Sequence, residues 1–250
     1  MKKHIALFST TLLFASFLGG ARAFADDNHN TPDPATAETN VTGRLDLSAD
    51  GGYNPNPPSK ELNKKTNIGN VYFGIAYAPK EFNIGSDVKL ADTDEEQLIV
   101  MEGQSDDEAK KESFHVAVKD KTRSTNRGWT LKAKLSNAIE DEKLGITIKT
   151  KTKADAVMRN MNTGGEEDFE STDMKEQVKK DNDGNEVTNT ANLEITTVDT
   201  DVMQAQSGKF VNGAYDLELP QVELHIPNAS KVKAQQLSTS VTWTLTDAPA

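Results

Sequence analysis

Apolar and polar residues alternate with a period of two along most of the chain. Phe114, Val116 and Val118 alternate with His115, Ala117 and Lys119; Trp129, Leu131, Ala133 and Leu135 alternate with Thr130, Lys132 and Lys134. The same pattern runs through Leu144, Ile146 and Ile148, through Val222, Leu224 and Ile226, and through Val241, Trp243 and Leu245. Successive side chains of a strand point to opposite faces, so each run predicts a strand with one apolar and one wet face. His115 and His225 fall on the wet faces and are expected in solvent. Weaker runs predict strands over 45–47, 71–77, 96–101, 193–197 and 215–219. No long amphipathic helix is read; 175–180 is the one short helix predicted. Many one-sided strands bury their apolar faces most simply as two sheets packed face to face. The expected fold class is all-β: a mostly antiparallel two-sheet β-sandwich with long polar loops and insertions.

The organisation around these strands is uneven. Lys2 and Lys3, an apolar run from Ile5 to Leu18 and the small residues Ala23 and Ala25 read as a secretory leader over 1–25. The apolar run is too short to span a bilayer. Residues 26–40 lack apolar period and read as a flexible linker. A single β domain is expected over 41–250, with an irregular proline-rich loop at 53–59. A polar, acidic insertion is expected over 155–192, with a hairpin turn at Asp183-Gly184. A second acidic region spans 91–112, with its part around Asp106 exposed. The end of the chain shows no hydrophobic tail or sorting motif, so surface retention is expected to be non-covalent or partner-mediated.

Composition narrows the chemistry. The chain has no cysteine, which excludes disulfides, thiol nucleophiles and cysteine metal sites. Its formal charge is −11, and a large negative charge argues against nucleic acid as a partner. The charge is locally reversed. Between Phe114 and Lys153 ten Lys or Arg residues outnumber four acids, a net of +6. This stretch is either a solvated basic sheet face or a docking face for an anionic partner.

One local echo stands out. Trp129-Thr130-Leu131 recurs as Trp243-Thr244-Leu245, and these are the only two tryptophans. In each copy Trp and Leu share one strand face. Phase alone leaves two readings open: buried core residues, or the wall of a groove that stacks on sugar rings or takes a partner's side chain. Two blocks carry a family resemblance. His115–Asp120, Arg123 and Gly128-Trp129-Thr130-Leu131 form the first. Val222–Pro227, Ser238–Leu245 and Pro249 form the second. With Ile75–Gly85, a proline-containing early block, they resemble the WxL-domain surface proteins of Gram-positive bacteria. Gln236-Leu237 departs from the family, which often has a tyrosine there.

The resemblance implies non-covalent attachment to the peptidoglycan of the cell wall, through the domain that holds both Trp-x-Leu motifs. It also implies partnership with a membrane-anchored WxL-interacting protein and, in some members, adhesion to host-surface or matrix proteins. On this reading Trp129, Leu131, Trp243 and Leu245 build the attachment face. Arg123, Arg127, Lys132 and Lys134 meet anionic groups, and Asp120 pairs with Arg123 or Arg127 to hold the loop before Trp129. An adhesion or assembly protein with indirect wall association is the alternative.

No enzyme, cofactor or metal site is expected. The histidines lack metal-ligand spacing, and no nucleophile elbow or phosphate loop occurs. The paired carboxylates Glu166-Glu167-Asp168 and Asp106-Asp107-Glu108 sit in polar stretches with nothing to raise their pKa. Asp181–Glu186 resembles a calcium loop superficially. Glu186 and Asn192 stand where an EF-hand needs Gly and Glu, so a turn is expected there.

Overall fold

Most of the alternating runs form strands, which pair antiparallel throughout a computed structural model of the chain; the run that begins at Leu144 becomes a strand only from Thr147, because Leu144 closes a 3-10 turn and Gly145 is left-handed. The structure describes residues 32, 34–49, 51–69, 71–105, 112–125, 127–174, 176–182 and 184–249. The expected leader over 1–25, the acidic run at 106–108 and Asp183 lie outside them. The chain divides into two units, Met1–Leu45 and Asp46–Ala250. The described part of the first is exposed and holds no helix or strand. The strand expected at 45–47 does not form, and Leu45 is fully exposed, without an apolar face to pack on.

In chain order the strands are β1 (Asn63–Lys65), β2 (Phe73–Pro79), β3 (Gln97–Val100), β4 (Phe114–Asp120), β5 (Arg127–Leu135), β6 (Thr147–Lys149), β7 (Met158–Arg159) and β8 (Glu176–Gln177). There follow β9 (Lys180–Asp181), β10 (Gly184–Asn185), β11 (Val187–Asn189), β12 (Glu194–Ile195), β13 (Thr200–Ala205), β14 (Gly213–Leu219), β15 (Glu223–Ile226) and β16 (Val241–Pro249). They build a six-stranded sheet, β1-β2-β4-β14-β7-β8, and two four-stranded sheets, β11-β13-β5-β16 and β12-β6-β15-β3; β9 and β10 form a separate hairpin. Short 3-10 turns are the only helical elements among the described residues. The all-β, antiparallel reading holds. The apolar faces of the three larger sheets meet in one buried cluster that includes Val116, Val118, Leu131, Leu135, Ile148 and Leu224.

Two expectations are corrected. The short helix at 175–180 is absent: β8 pairs with β7, and β9 turns back into β10. Nor is the polar stretch 155–192 a loop detached from the sheets. It supplies β7 and β8 to the six-stranded sheet and β11 to a four-stranded one. Its strands are two or three residues long, too short to show a period.

The wet face of β4 is not wet. All seven of its residues are buried. β1 and the segment before it cover that face: Lys119 Nζ donates to the carbonyl of Gly52 at 3.0 Å and to Asn54 Oδ1 at 2.9 Å, and Asn63 Oδ1 accepts from the His115 backbone at 2.8 Å. A bulge between Ile75 and Tyr77 matters here. The extra residue shifts the phase of β2, so Ile75 lies beside Val118 and Tyr77 beside Ala117. Asp216 of β14 is the other neighbour of Ala117. The small Ala117 lets the Tyr77 hydroxyl reach across β4 and donate to Asp216 Oδ1 at 2.6 Å.

Glu186 illustrates how polar groups are handled at the other end of the sheet. It follows β10, is 5% exposed, and accepts from the Tyr215 hydroxyl at 2.9 Å. Burial pushes its carboxyl above the ordinary glutamate value, against the opposing hydrogen bond from Tyr215 and the nearby Arg159 and Lys179. A raised acid stabilises the fold below its unfolded pKa, and that contribution is lost as pH rises through the folded value. Glu186→Gln keeps the acceptor and removes the charge. It is expected to raise the melting temperature at neutral pH and leave it unchanged in acid. A thermal melt series across pH checks this; equal curves for both proteins at neutral pH would contradict it.

Candidate functional site

The two Trp-x-Leu motifs lie on adjacent strands of one sheet. β5 is inside the sheet, between β13 and β16, whereas β16 is at the edge. They pair antiparallel over nine residues, with Leu245 opposite Leu131, Trp243 opposite Ala133 and Asp247 opposite Trp129. Opposed residues share a face, so both tryptophans point toward the core from opposite ends of the paired motifs.

Their environments differ. Trp129 is 1% exposed and Leu131 fully buried. Trp129 Nε1 donates to Asp120 Oδ2 at 3.1 Å, and its ring lies 6.2 Å from that of Tyr215. The other oxygen of Asp120 accepts from the Thr122 backbone at 3.0 Å and from its hydroxyl at 2.6 Å. Asp120 thus ties the turn after β4 to the indole of β5. Gly128 is needed beside it: a Cβ there would sit 2.9 Å from the Ala205 carbonyl of β13. Trp243 and Leu245, on the edge strand, are only partly buried. Trp243 lines a cleft of about 290 Å³ of mixed polar and apolar lining, whose walls include Phe82, Ile139, Leu237 and Val241 together with Lys80 and Glu81. A second cleft of about 530 Å³ shares Ile84, Ile139, Leu224 and Leu237 with it. Leu237, the departure from the family's tyrosine, therefore lines both. Phe82 packs edge-on against Phe114 at 4.9 Å, which fixes the near wall.

The basic residues are elsewhere. Lys132 and Lys134 lie on the opposite face of β5, paired with Asp201 at 3.1 Å and Asp199 at 3.4 Å. Lys149 faces Glu194 at 3.9 Å. Lys119 is buried, and Lys121 stands over the Tyr53 ring at 4.7 Å. Much of the basic stretch is thus spent within the domain. Arg123 is exposed in the turn after β4, with a positive φ of 55°. Arg127 opens β5 opposite Pro249. The structure brings Trp243 and Leu245 to a cleft and places Trp129, Leu131 and Asp120 beneath the surface. It does not gather Arg123, Lys132 and Lys134 with them.

Sequence reasoning missed a buried polar cluster. His115 is 4% exposed and His225 9% exposed, so neither is solvated as expected. His115 Nε2 lies 2.9 Å from Ser113 Oγ, and its Nδ1 lies 2.9 Å from Asp216 Oδ2. Asn160 Nδ2 donates to the Tyr77 hydroxyl at 2.8 Å. A serine, histidine and carboxylate in this order resemble a hydrolytic triad. Ser113 is 7% exposed and Asp216 1%; the carboxylate also holds Tyr77. This arrangement clasps β2, β4 and β14 and leaves no nucleophile open to a substrate. His225 of β15 reaches Glu96 Oε2 at 3.1 Å. Among the described residues no group of three or more His, Asp or Glu is placed to hold a metal ion.

With the motifs paired and the second tryptophan on a cleft, the comparisons with known proteins decide the family. The family model "WxL domain surface cell wall-binding" matches residues 26–249. The chain belongs to the WxL family. Neither a curated protein nor a solved structure matches it significantly. WxL domains bind the cell wall at the surface and are not an enzyme family, which places this chain at the wall. No helix among the described residues is long and apolar enough to cross a membrane.

Proposed function

We propose that the WxL domain attaches the protein non-covalently to peptidoglycan, and that the cleft beside Trp243 is the contact. The observation that carries this reading is the asymmetry of the two motifs. Trp129 is sealed in the core, whereas Trp243 stands on an edge strand, is only partly buried and lines an open cleft. A flat indole suits the C–H face of a sugar ring. Thr239, Ser240, Lys80 and Glu81 on the same cleft offer partners for hydroxyl and carboxyl groups. Trp129 and Leu131 contribute by holding β5 in place.

Sedimentation with purified peptidoglycan tests this. Trp243→Ala is expected to cost about 1–2 kcal/mol of stability, since the ring is only partly buried, and to remain folded. Its wall binding is expected to fall at least tenfold. A folded Trp243→Ala protein that sediments like the wild type would overturn the reading.

A further inference from the structure

β16 has one edge to spare. Among the described residues only β5 pairs with it. Exposed edges are normally blunted by lysine, proline, bulges or short length. β16 instead runs nine residues in unbroken register, carries no charge from Val241 to Thr246, and has its proline at the last position. Ser136 donates to the Ser240 carbonyl at 2.8 Å, which makes that opposed pair a hydrogen-bonded one. Antiparallel pairs alternate, so Thr242, Thr244 and Thr246 spend their main-chain groups on β5. Those of Val241, Trp243 and Leu245 face the spare edge.

We propose that this edge pairs with β16 of a second copy of the chain, about a two-fold axis at Thr244. The strand is self-complementary in that register. Thr244 meets Thr244, Trp243 meets Leu245, Thr242 meets Thr246, and Val241 meets Asp247. The residues with outward-facing main chain are then the ones that exchange hydrogen bonds, and the two four-stranded sheets become one of eight. Uncharged positions meet one another along the middle, and the acid of each strand, Asp247, arrives opposite the uncharged Val241 of the other rather than opposite a like charge. A two-fold contact of this kind is closed and stops at a dimer. The net charge of −11 on each copy opposes it at long range. Salt screens that repulsion beyond about 8 Å at physiological ionic strength, so association strengthens with added salt.

The test is sedimentation equilibrium of the purified chain from micromolar to sub-millimolar concentration. A reversible monomer–dimer equilibrium that tightens with salt is expected, with a concentration-dependent blue shift of Trp243 emission while Trp129 stays constant. Thr244→Lys puts like charges opposite each other at the axis and is expected to weaken the dimer at least tenfold. An equimolar mixture of Thr244→Lys and Thr244→Glu is expected to restore it as a heterodimer. Wild type that stays monomeric throughout, or a folded Thr244→Lys protein that dimerises as the wild type does, overturns the proposal. The Thr244 side chain points away from the cleft, and self-association is read without peptidoglycan, so failure of either proposal is visible without the other.

Discussion

Trp129→Ala is expected to leave too little stability for a folded domain at growth temperature. Trp129 is among the largest fully buried side chains, and the cost of emptying such a site is about 3–5 kcal/mol. The substitution also removes the donor that satisfies Asp120 Oδ2. Hydrogen bonds to charged groups contribute about 1.5–3 kcal/mol. Together these losses approach the whole stability of an ordinary domain, about 5–15 kcal/mol. Trp129→Phe separates the terms, since it keeps most of the apolar volume and loses only the donor and a partial cavity. Chemical denaturation followed by circular dichroism should place Trp129→Phe between the wild type and Trp129→Ala. If Trp129→Ala instead unfolds at nearly the wild-type denaturant concentration, the indole is not the tie between β4 and β5 described above.

The contrast between Trp129→Ala and Trp243→Ala follows from strand position, which the sequence does not carry. Both motifs read alike: Trp and Leu share a face, and an apolar series continues on either side. What separates them is that β5 is flanked on both sides and β16 on one. Strand order comes from long-range pairing, which no local pattern encodes. The phase was legible for β5 and β16, because each keeps a two-residue period, whereas Leu144 of the β6 run closes a 3-10 turn and the expected wet face of β15 is buried at Glu223 and His225.

β4 misled for the opposite reason. Its alternation of Phe114, Val116 and Val118 with His115, Ala117 and Lys119 is regular, but neighbours on the polar face cover it: Gly52 and Asn54 take Lys119, Asn63 meets the His115 backbone, and Asn160 meets Tyr77. Their segments have no period to read. The bulge at Ala76 was equally hidden, although it decides that Tyr77 joins the polar cluster. The cleft was partly legible: Phe82 and Ile84 lie in the early block that resembles the family, and Leu237 belongs to the Gln236-Leu237 pair that departs from it.

The polar cluster yields the second large effect. Asp216→Ala is expected to be strongly destabilising, since a buried polar group left without its partner costs about 1–3 kcal/mol and two such groups depend on this carboxylate. The carboxylate accepts from the Tyr77 hydroxyl at 2.6 Å and contacts His115 Nδ1 at 2.9 Å. Without it two buried polar groups on different strands lose their common partner, and neither can turn to water. Burial holds the Tyr77 hydroxyl well above its ordinary pKa, and the adjacent Asp216 adds to this, so the phenol remains a donor throughout the physiological range. Asp216→Asn should be far milder. Its amide oxygen can still accept from Tyr77, and its amide hydrogens can meet His115 Nδ1 if the ring proton moves to Nε2 and is donated to Ser113 Oγ, 2.9 Å away. The order wild type, Asn, Ala in denaturant midpoint is therefore the expected result. Equal losses for Asn and Ala would mean that the negative charge itself, rather than the hydrogen-bond geometry, holds β2, β4 and β14 together. Either pattern should leave peptidoglycan sedimentation intact in protein that remains folded, because the cluster lies on the face of the six-stranded sheet turned away from the Trp243 cleft.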